Sequence, residues 1–246
     1  AEWDGVVSDC TPRWVFSDTH WAQAAKDLAQ RAGIAHCLID QVGASTPSLA
    51  CAGPAFAGAA VSPQAPALLV YTSGTTGRPK GALHTQANLL ANMALAQYNM
   101  DLSATDTVAT MLPLFHVGGL CIQTLPALYV GARVILHARF DASAALACFA
   151  QDRPTLTLQV PATMRALLEH PQWPHTDLSS LRAVWAGSSV LPAHLVQAFQ
   201  VRGLAVCNVY GSTETGPFSI ALGAAHAQSH CGSCGWPAQT KELQVQ

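Results

Sequence analysis

Between residues 71 and 81 the chain reads Tyr71-Thr72-Ser73-Gly74-Thr75-Thr76-Gly77-Arg78-Pro79-Lys80-Gly81. Glycines let successive backbone N–H groups turn toward one anion, the hydroxyls of Thr72, Ser73, Thr75 and Thr76 add neutral donors, and Lys80 supplies a mobile positive charge. A segment of this kind holds a polyphosphate, and it works only between rigid flanks. The sequence supplies them: the apolar run 67–71 predicts a buried strand before the loop, and the apolar spacing over 84–100 predicts a helix after it. A Walker A loop requires Gly where Pro79 stands and Ser or Thr where Gly81 stands, so the P-loop NTPase reading fails at both positions.

The remaining pattern alternates in the same way. Residues 14–16 are strand-like, 20–31 have helical spacing that Gly33 stops, and 34–39 are strand-like again, which together predict a βαβ unit. A stretch rich in Ala, Gly, Ser and Pro follows over 43–66 and reads as a linker, with a boundary near Pro63. Further strands are predicted at 107–111, 133–136, 155–159, 183–186 and 205–209, with helices at 142–151, 162–169 and 193–201 between them. This alternation predicts an α/β fold, layered sheets flanked by helices, with largely parallel strands. The organisation expected is a partial βαβ sub-lobe and linker over 1–63 and a ligand-binding sub-lobe over 64–246.

Composition narrows the partners. Half of the residues are apolar and only 11% are charged, the net charge is -2, and no Lys/Arg run occurs, so the electrostatic footprint of a nucleic-acid binder is absent. Small molecules are the expected partners, with no membrane span, because the longest apolar stretch, 117–136, is interrupted by Gln123, Pro126, Gly131 and Arg133 and reads as a buried helix, a turn and a strand. The N-terminus has no signal-peptide pattern, which makes the cytoplasm the expected compartment. Eight irregularly spaced cysteines predict reduced, mostly buried thiols. The high apolar fraction leaves self-association into a homo-oligomer open.

Three more segments carry chemistry. Leu112-Pro113-Leu114-Phe115-His116-Val117-Gly118-Gly119 places a histidine before a glycine pair, and taken alone His116 reads equally as a packed core residue. Ala186-Gly187-Ser188-Ser189-Val190-Leu191-Pro192 is a small-residue turn of the kind that lets a ligand approach the backbone. Asn208-Val209-Tyr210-Gly211-Ser212-Thr213-Glu214-Thr215-Gly216 ends a strand in a polar turn bearing one carboxylate. No Gly-x-Ser-x-Gly elbow accompanies the serines, so they do not suggest a hydrolase. His226, His230, Cys231 and Cys234 are spaced closely enough for zinc but lack the usual span between two ligand pairs.

The loop at 71–81, with the segments at 112–119 and 208–216 in the same order and spacing, resembles the adenylate-forming superfamily of acyl- and aryl-CoA synthetases, luciferases and peptide-synthetase adenylation domains. The resemblance covers about 14–245 and implies the large N-terminal domain of a carboxylate–CoA ligase using ATP, Mg²⁺ and CoA. It implies that Thr72, Ser73, Gly74, Thr75, Thr76, Gly77 and Lys80 hold phosphates, and that Gly187, Ser188 and Ser189 wall the adenine and acyl pocket. Tyr210, Gly211, Ser212, Thr213 and Glu214 would contact the nucleotide, and Thr72 and Glu214 would hold Mg²⁺. His116 would border the acyl and pantetheine channel, and the roles in catalysis fall to His116, Lys80, Thr213 and Glu214. The two serines at 188 and 189 depart mildly from the Gly-Ala common at that turn.

The resemblance also implies residues beyond both ends of this chain, including a small C-terminal domain with the adenylating lysine; Lys241 comes too early to be that residue, so this chain alone is expected to turn over little. Two other readings stay open: a non-catalytic nucleotide-binding module, and an adenylation domain loading a carrier protein, which the Phe-His-Gly-Gly context disfavours. A fatty or aromatic acid fits the apolar balance better than a dicarboxylate.

Overall fold

The computed structural model describes residues 2–41, 61–73, 79–187 and 189–239. The chain divides into two compact units, Ala1–Ser62 with Ser73–Lys80, and Pro63–Thr72 with Gly81–Gln246. The first unit holds helix α1 (Glu2–Cys10), strand β1 (Trp14–Ser17), helix α2 (Ala22–Ala32) and strand β2 (Ala35–Leu38). β1 and β2 pair in parallel, and Ala25, Leu28, Ala29 and Cys37 are buried beneath them. This is the βαβ unit that the apolar spacing predicts. α1 lies outside that expectation, because it carries few apolar residues to set a period.

The second unit continues with β3 (Pro66–Thr72), β4 (Lys80–Thr85) from its second residue on, α3 (Gln86–Met100) and β5 (Thr107–Thr110). A π-helical segment, Gly118–Thr124, runs into α4 (Leu125–Val130), followed by β6 (Arg133–Leu136), α5 (Ala142–Gln151), β7 (Leu156–Gln159), α6 (Pro161–Leu168), β8 (Ala183–Gly187), α7 (Ala193–Gln200), β9 (Val206–Tyr210), β10 (Ile220–Leu222) and β11 (Trp236–Pro237). Seven strands form one sheet in the order β11-β10-β9-β8-β7-β5-β6. From β6 to β9 neighbours are parallel, and β10 and β11 are antiparallel additions at one edge.

Alternation along the strands sends side chains to two cores. Val184, Val206 and Ala109 face a cluster with Phe149, Met164, Trp173 and Phe199 from the α5, α6 and α7 side. Trp185, Cys207, Leu156 and Val108 face the other cluster, with Leu95, Met100 and Ala127 of α3 and α4 and with Phe218. β7 and β8 are buried on both faces, as central parallel strands require.

One sequence expectation is corrected here. The loop does not run from a strand straight into a helix: residues 80–85 are the strand β4, which pairs with β3 as a separate two-stranded sheet. The helix begins only at Gln86 because Thr85 caps it. Thr85 Oγ1 accepts from the Asn88 N–H at 3.2 Å while Asn88 Oδ1 accepts from the Thr85 N–H at 3.1 Å. His84 therefore stands on a strand and not at the start of a helix.

Candidate functional site

In a parallel sheet flanked by helices, ligands bind outside the carboxyl ends of the strands. Three motif segments arrive there. β5 ends at Thr110 and leads into residues 112–119; β8 ends at Gly187; β9 ends at Tyr210, followed by residues 211–216. β8 and β9 are neighbours with Gly187 opposite Val209, so the turns after them emerge side by side.

Two glycines make this end of the sheet possible. A Cβ on Gly187 would stand 2.5 Å from the Val209 carbonyl oxygen, and one on Gly211 would stand 2.3 Å from the Pro217 carbonyl oxygen. Both contacts are with backbone, so no side-chain movement relieves them. The turn is closed by small hydroxyl side chains. The Ser212 N–H donates to Thr215 Oγ1 at 3.2 Å, the Thr215 N–H donates to Ser212 Oγ at 3.2 Å, and Thr215 Oγ1 lies 3.0 Å from Ser219 Oγ. The Ser219 N–H reaches back to the Tyr210 carbonyl at 3.0 Å. Tyr210 is left 55% exposed, with its ring available to a planar partner.

Glu214 sits on this turn and is exposed. Thr72, the last residue of β3, donates from Oγ1 to its Oε1 at 3.4 Å. β3 is held for that meeting by Val70, which is buried against Val117 and Cys121 of the segment around the π-helix. Glu214's own backbone N–H, then the hydroxyls of Ser212 and Thr72, and last the His84 imidazole hold its carboxyl below the usual glutamate range. The result is an ionised carboxylate beside a hydroxyl, both hard oxygen donors, the set a magnesium ion accepts alongside phosphate oxygens and water. The described Thr72 and Glu214 thus fit Mg²⁺ by donor chemistry.

His116 is exposed, and its Nδ1 accepts the Gly118 N–H at 2.9 Å, which leaves Nε2 to carry the ring proton. Lys80 is the exposed first residue of β4 and Ser73 follows the last residue of β3. Gly74, Thr75, Thr76, Gly77 and Ser188 lie outside the described residues; Ser189 is exposed beyond β8. A cleft of about 400 Å³ in the first unit, lined by Asp4 and Arg31 among others, contains none of the motif residues. His226 and His230 stack edgewise on Trp236, each with ring centroids 5.1 Å from it, and no three His, Cys, Asp or Glu residues among those described are grouped for a metal ion. No described helix is long and apolar enough to cross a membrane.

One residue of this end of the sheet is invisible to motif reading. His84 lines a cleft of about 110 Å³ with Leu83, Asn88, Asn92, Glu214 and Thr215. Reading residues 80–85 with a period of two would have placed it on a strand; the longer helical pattern that follows masked that signal.

An α/β sheet with its motif loops gathered at the carboxyl ends, a tyrosine-bearing turn and a carboxylate–hydroxyl pair is the frame of a nucleotide-binding enzyme. The whole chain, residues 1–246, matches the AMP-binding enzyme family, and the protein belongs to it. It is 46% identical over 185 residues to an indoleacetate–CoA ligase of Aromatoleum aromaticum, covering 75% of this chain and 36% of that protein. An ATP-bound structure of MatB from Rhodopseudomonas palustris superposes with a TM-score of 0.79 at 28% identity, over 91% of this chain and 44% of that one. The o-succinylbenzoate CoA synthetase of Bacillus subtilis, solved with ATP and magnesium, superposes over 100% of this chain and 49% of its own, with a TM-score of 0.83 at 24% identity, a likeness of fold. The chain thus spans about a third to a half of the length of the relatives it matches.

Proposed function

We propose that the protein of which this chain forms the nucleotide-binding part activates a carboxylic acid with ATP and passes the acyl group to CoA. The substrate carboxylate attacks the ATP α-phosphorus, the bond to the bridging oxygen breaks, and pyrophosphate leaves; the thiol of CoA then displaces AMP from the acyl-adenylate. No side chain need act as a nucleophile. The protein's contribution is position and charge neutralisation. Lys80 and the hydroxyls of the 72–77 segment receive the β- and γ-phosphates, Tyr210 stacks on adenine, and Thr213 contacts the α-phosphate or the substrate carboxylate. Gly187 with Ser188 and Ser189 gives the nucleotide close access to the backbone, while His116 borders the acyl channel. Thr72 and Glu214 would hold Mg²⁺, which when bound neutralises phosphate charge.

The observation that carries this reading is the Thr72–Glu214 contact at 3.4 Å, which joins two motifs far apart in sequence. The similarity to an indoleacetate ligase supports an apolar, aromatic acid as substrate, with a fatty acid the nearest alternative. Titration calorimetry of Mg-ATP into the 246-residue chain tests the assignment, with Lys80→Ala and Glu214→Ala beside it. Both substitutions are expected to weaken binding by tenfold or more, in line with the loss of one charge-assisted contact of about 1.5–3 kcal/mol. Unchanged affinity in Glu214→Ala overturns the site.

A further inference from the structure

Cys231 and Cys234, set three residues apart, take no part in the nucleotide site. Both are exposed and free, whereas Cys37, Cys121, Cys148 and Cys207 are buried. No three His, Cys, Asp or Glu residues among those described are grouped for a metal ion, so the chemistry of this segment is that of a dithiol. The backbone keeps the pair on one short loop. The rings of His230 and Trp236 meet with centroids 5.1 Å apart, so the chain between them leaves and returns at the same place. The Ser233 N–H donates to the His230 carbonyl at 3.0 Å and closes a turn with Cys231 and Gly232 at its centre. Gly232 has a φ of 86°, the left-handed value that the third residue of a type II turn requires. Asn208 of β9 ties the far side down, its Nδ2 donating to the Ser233 carbonyl at 3.2 Å and lying 4.0 Å from Cys234 Sγ. Gly235 is fixed against β10, where a Cβ would run into the Ala221 carbonyl oxygen. Three residues fully extended reach about 10–11 Å, and a disulfide needs Cα atoms within about 7 Å. The turned backbone supplies that contraction at the surface, where adjustment disturbs no packed core.

We propose that Cys231 and Cys234 form a thiol–disulfide exchange site that reacts with small disulfides of the glutathione kind. The thiolate of one cysteine attacks a sulfur of the small disulfide, the S–S bond breaks, one small thiol leaves and a mixed disulfide remains. The thiolate of the other cysteine then attacks the protein sulfur of that mixed disulfide, and the second small thiol leaves. Two protein thiols lose two electrons, one small disulfide is reduced to two thiols, and the protons of the cysteines end on the departing thiolates. A disulfide closed at an exposed position is of the labile class, so excess thiol reverses the reaction.

The test treats the 246-residue chain, carrying Cys10→Ser and Cys51→Ser to keep those thiols out of the count, with oxidised glutathione at about pH 8. Samples are quenched with iodoacetamide and read by intact mass and peptide mapping, and thermal melting confirms that the chain stays folded during treatment. The expected product has lost two hydrogens, carries no glutathione, maps as a Cys231–Cys234 disulfide and regains both thiols in dithiothreitol. Adding Cys231→Ser or Cys234→Ser is expected to leave a lasting mixed disulfide on the remaining cysteine. In the background chain that adduct is expected to be at least about tenfold scarcer, because the second attack is intramolecular. A background chain that holds one or two glutathiones without an internal disulfide overturns the proposal, since the two sulfurs then react separately. Failure of both cysteines to react overturns it as well, as does a map that joins either of them to a different cysteine or to another chain. Should any substituted chain fail to fold, the same peptide map on the unsubstituted chain decides between a 231–234 disulfide and separate adducts.

Discussion

Arg182 shows how one residue can fix the register of a sheet. Its Nε and Nη2 donate to the two carboxylate oxygens of Asp106, each at 3.0 Å, while Nη1 reaches the Met100 carbonyl and Nη2 the Asp101 carbonyl, both at 2.8 Å. Asp106, only 6% exposed, also accepts from the Ser103 N–H and from Thr155 Oγ1. Burial pushes the Asp106 carboxyl upward, but the bonds from Arg182, Thr155 and Ser103 outweigh it and hold the group below its usual range. Arg182→Ala leaves a buried charge with half its partners and is expected to cost about 3 kcal/mol in urea unfolding. Because the folded value is depressed, Asp106 contributes stability that is present above the unfolded value near 3.9 and lost as pH falls through the lower folded one. Asp106→Asn is therefore expected to lower stability at neutral pH and to flatten its decline below about pH 4, measured by urea midpoints across that range. None of this network was legible in the sequence, since Asp106 and Arg182 belong to no motif and meet only when β5, β7 and β8 pair. Glu214 and Thr72 were legible because the motifs carry them.

At the scale of elements, the strands and helices of the parallel sheet follow from apolar periodicity, and their ends follow from single residues. The helix predicted from residue 84 begins at 86 because the Thr85–Asn88 cap outweighs the apolar continuity into Leu83. Thr85→Ala is expected to cost about 1 kcal/mol, read as a lower melting temperature. β10 and β11, of three and two residues, were missed because segments that short carry no period; they pair because β9 offers a free edge. The turn glycines set a stricter limit. Gly211→Ala forces its Cβ into the Pro217 backbone, and Gly187→Ala forces its Cβ onto the Val209 carbonyl. Each is expected to cost about 1–3 kcal/mol, and Gly211→Ala to weaken nucleotide binding further by displacing Glu214, a loss that calorimetry separates from the fall in stability.

For the molecule as a whole, the two cores on either face of the sheet make the thiols a probe of global opening. Cys121, Cys148 and Cys207 are buried, and desolvation raises their thiols to about 11, 11 and 12. Cys231 and Cys234 are exposed. A thiol reagent at about pH 8 is expected to modify Cys231 and Cys234 at once, and Cys121, Cys148 and Cys207 only at the rate of unfolding, as followed by mass spectrometry of peptides. The reduced, mostly buried thiols expected from the irregular spacing agree with the seven described cysteines, all of them free.

The Thr72–Glu214 contact spans 142 positions of the chain. A ribosome adding about 5–20 residues per second finishes Glu214 roughly 7–30 s after Thr72. Throughout that interval Thr72 is without Glu214, and on the proposed function ATP has no completed site to enter. On the proposed function, nucleotide therefore cannot template the early folding of this chain; it recognises a sheet in which β9 is already paired, so that ligand binding during synthesis would serve as a late checkpoint of assembly.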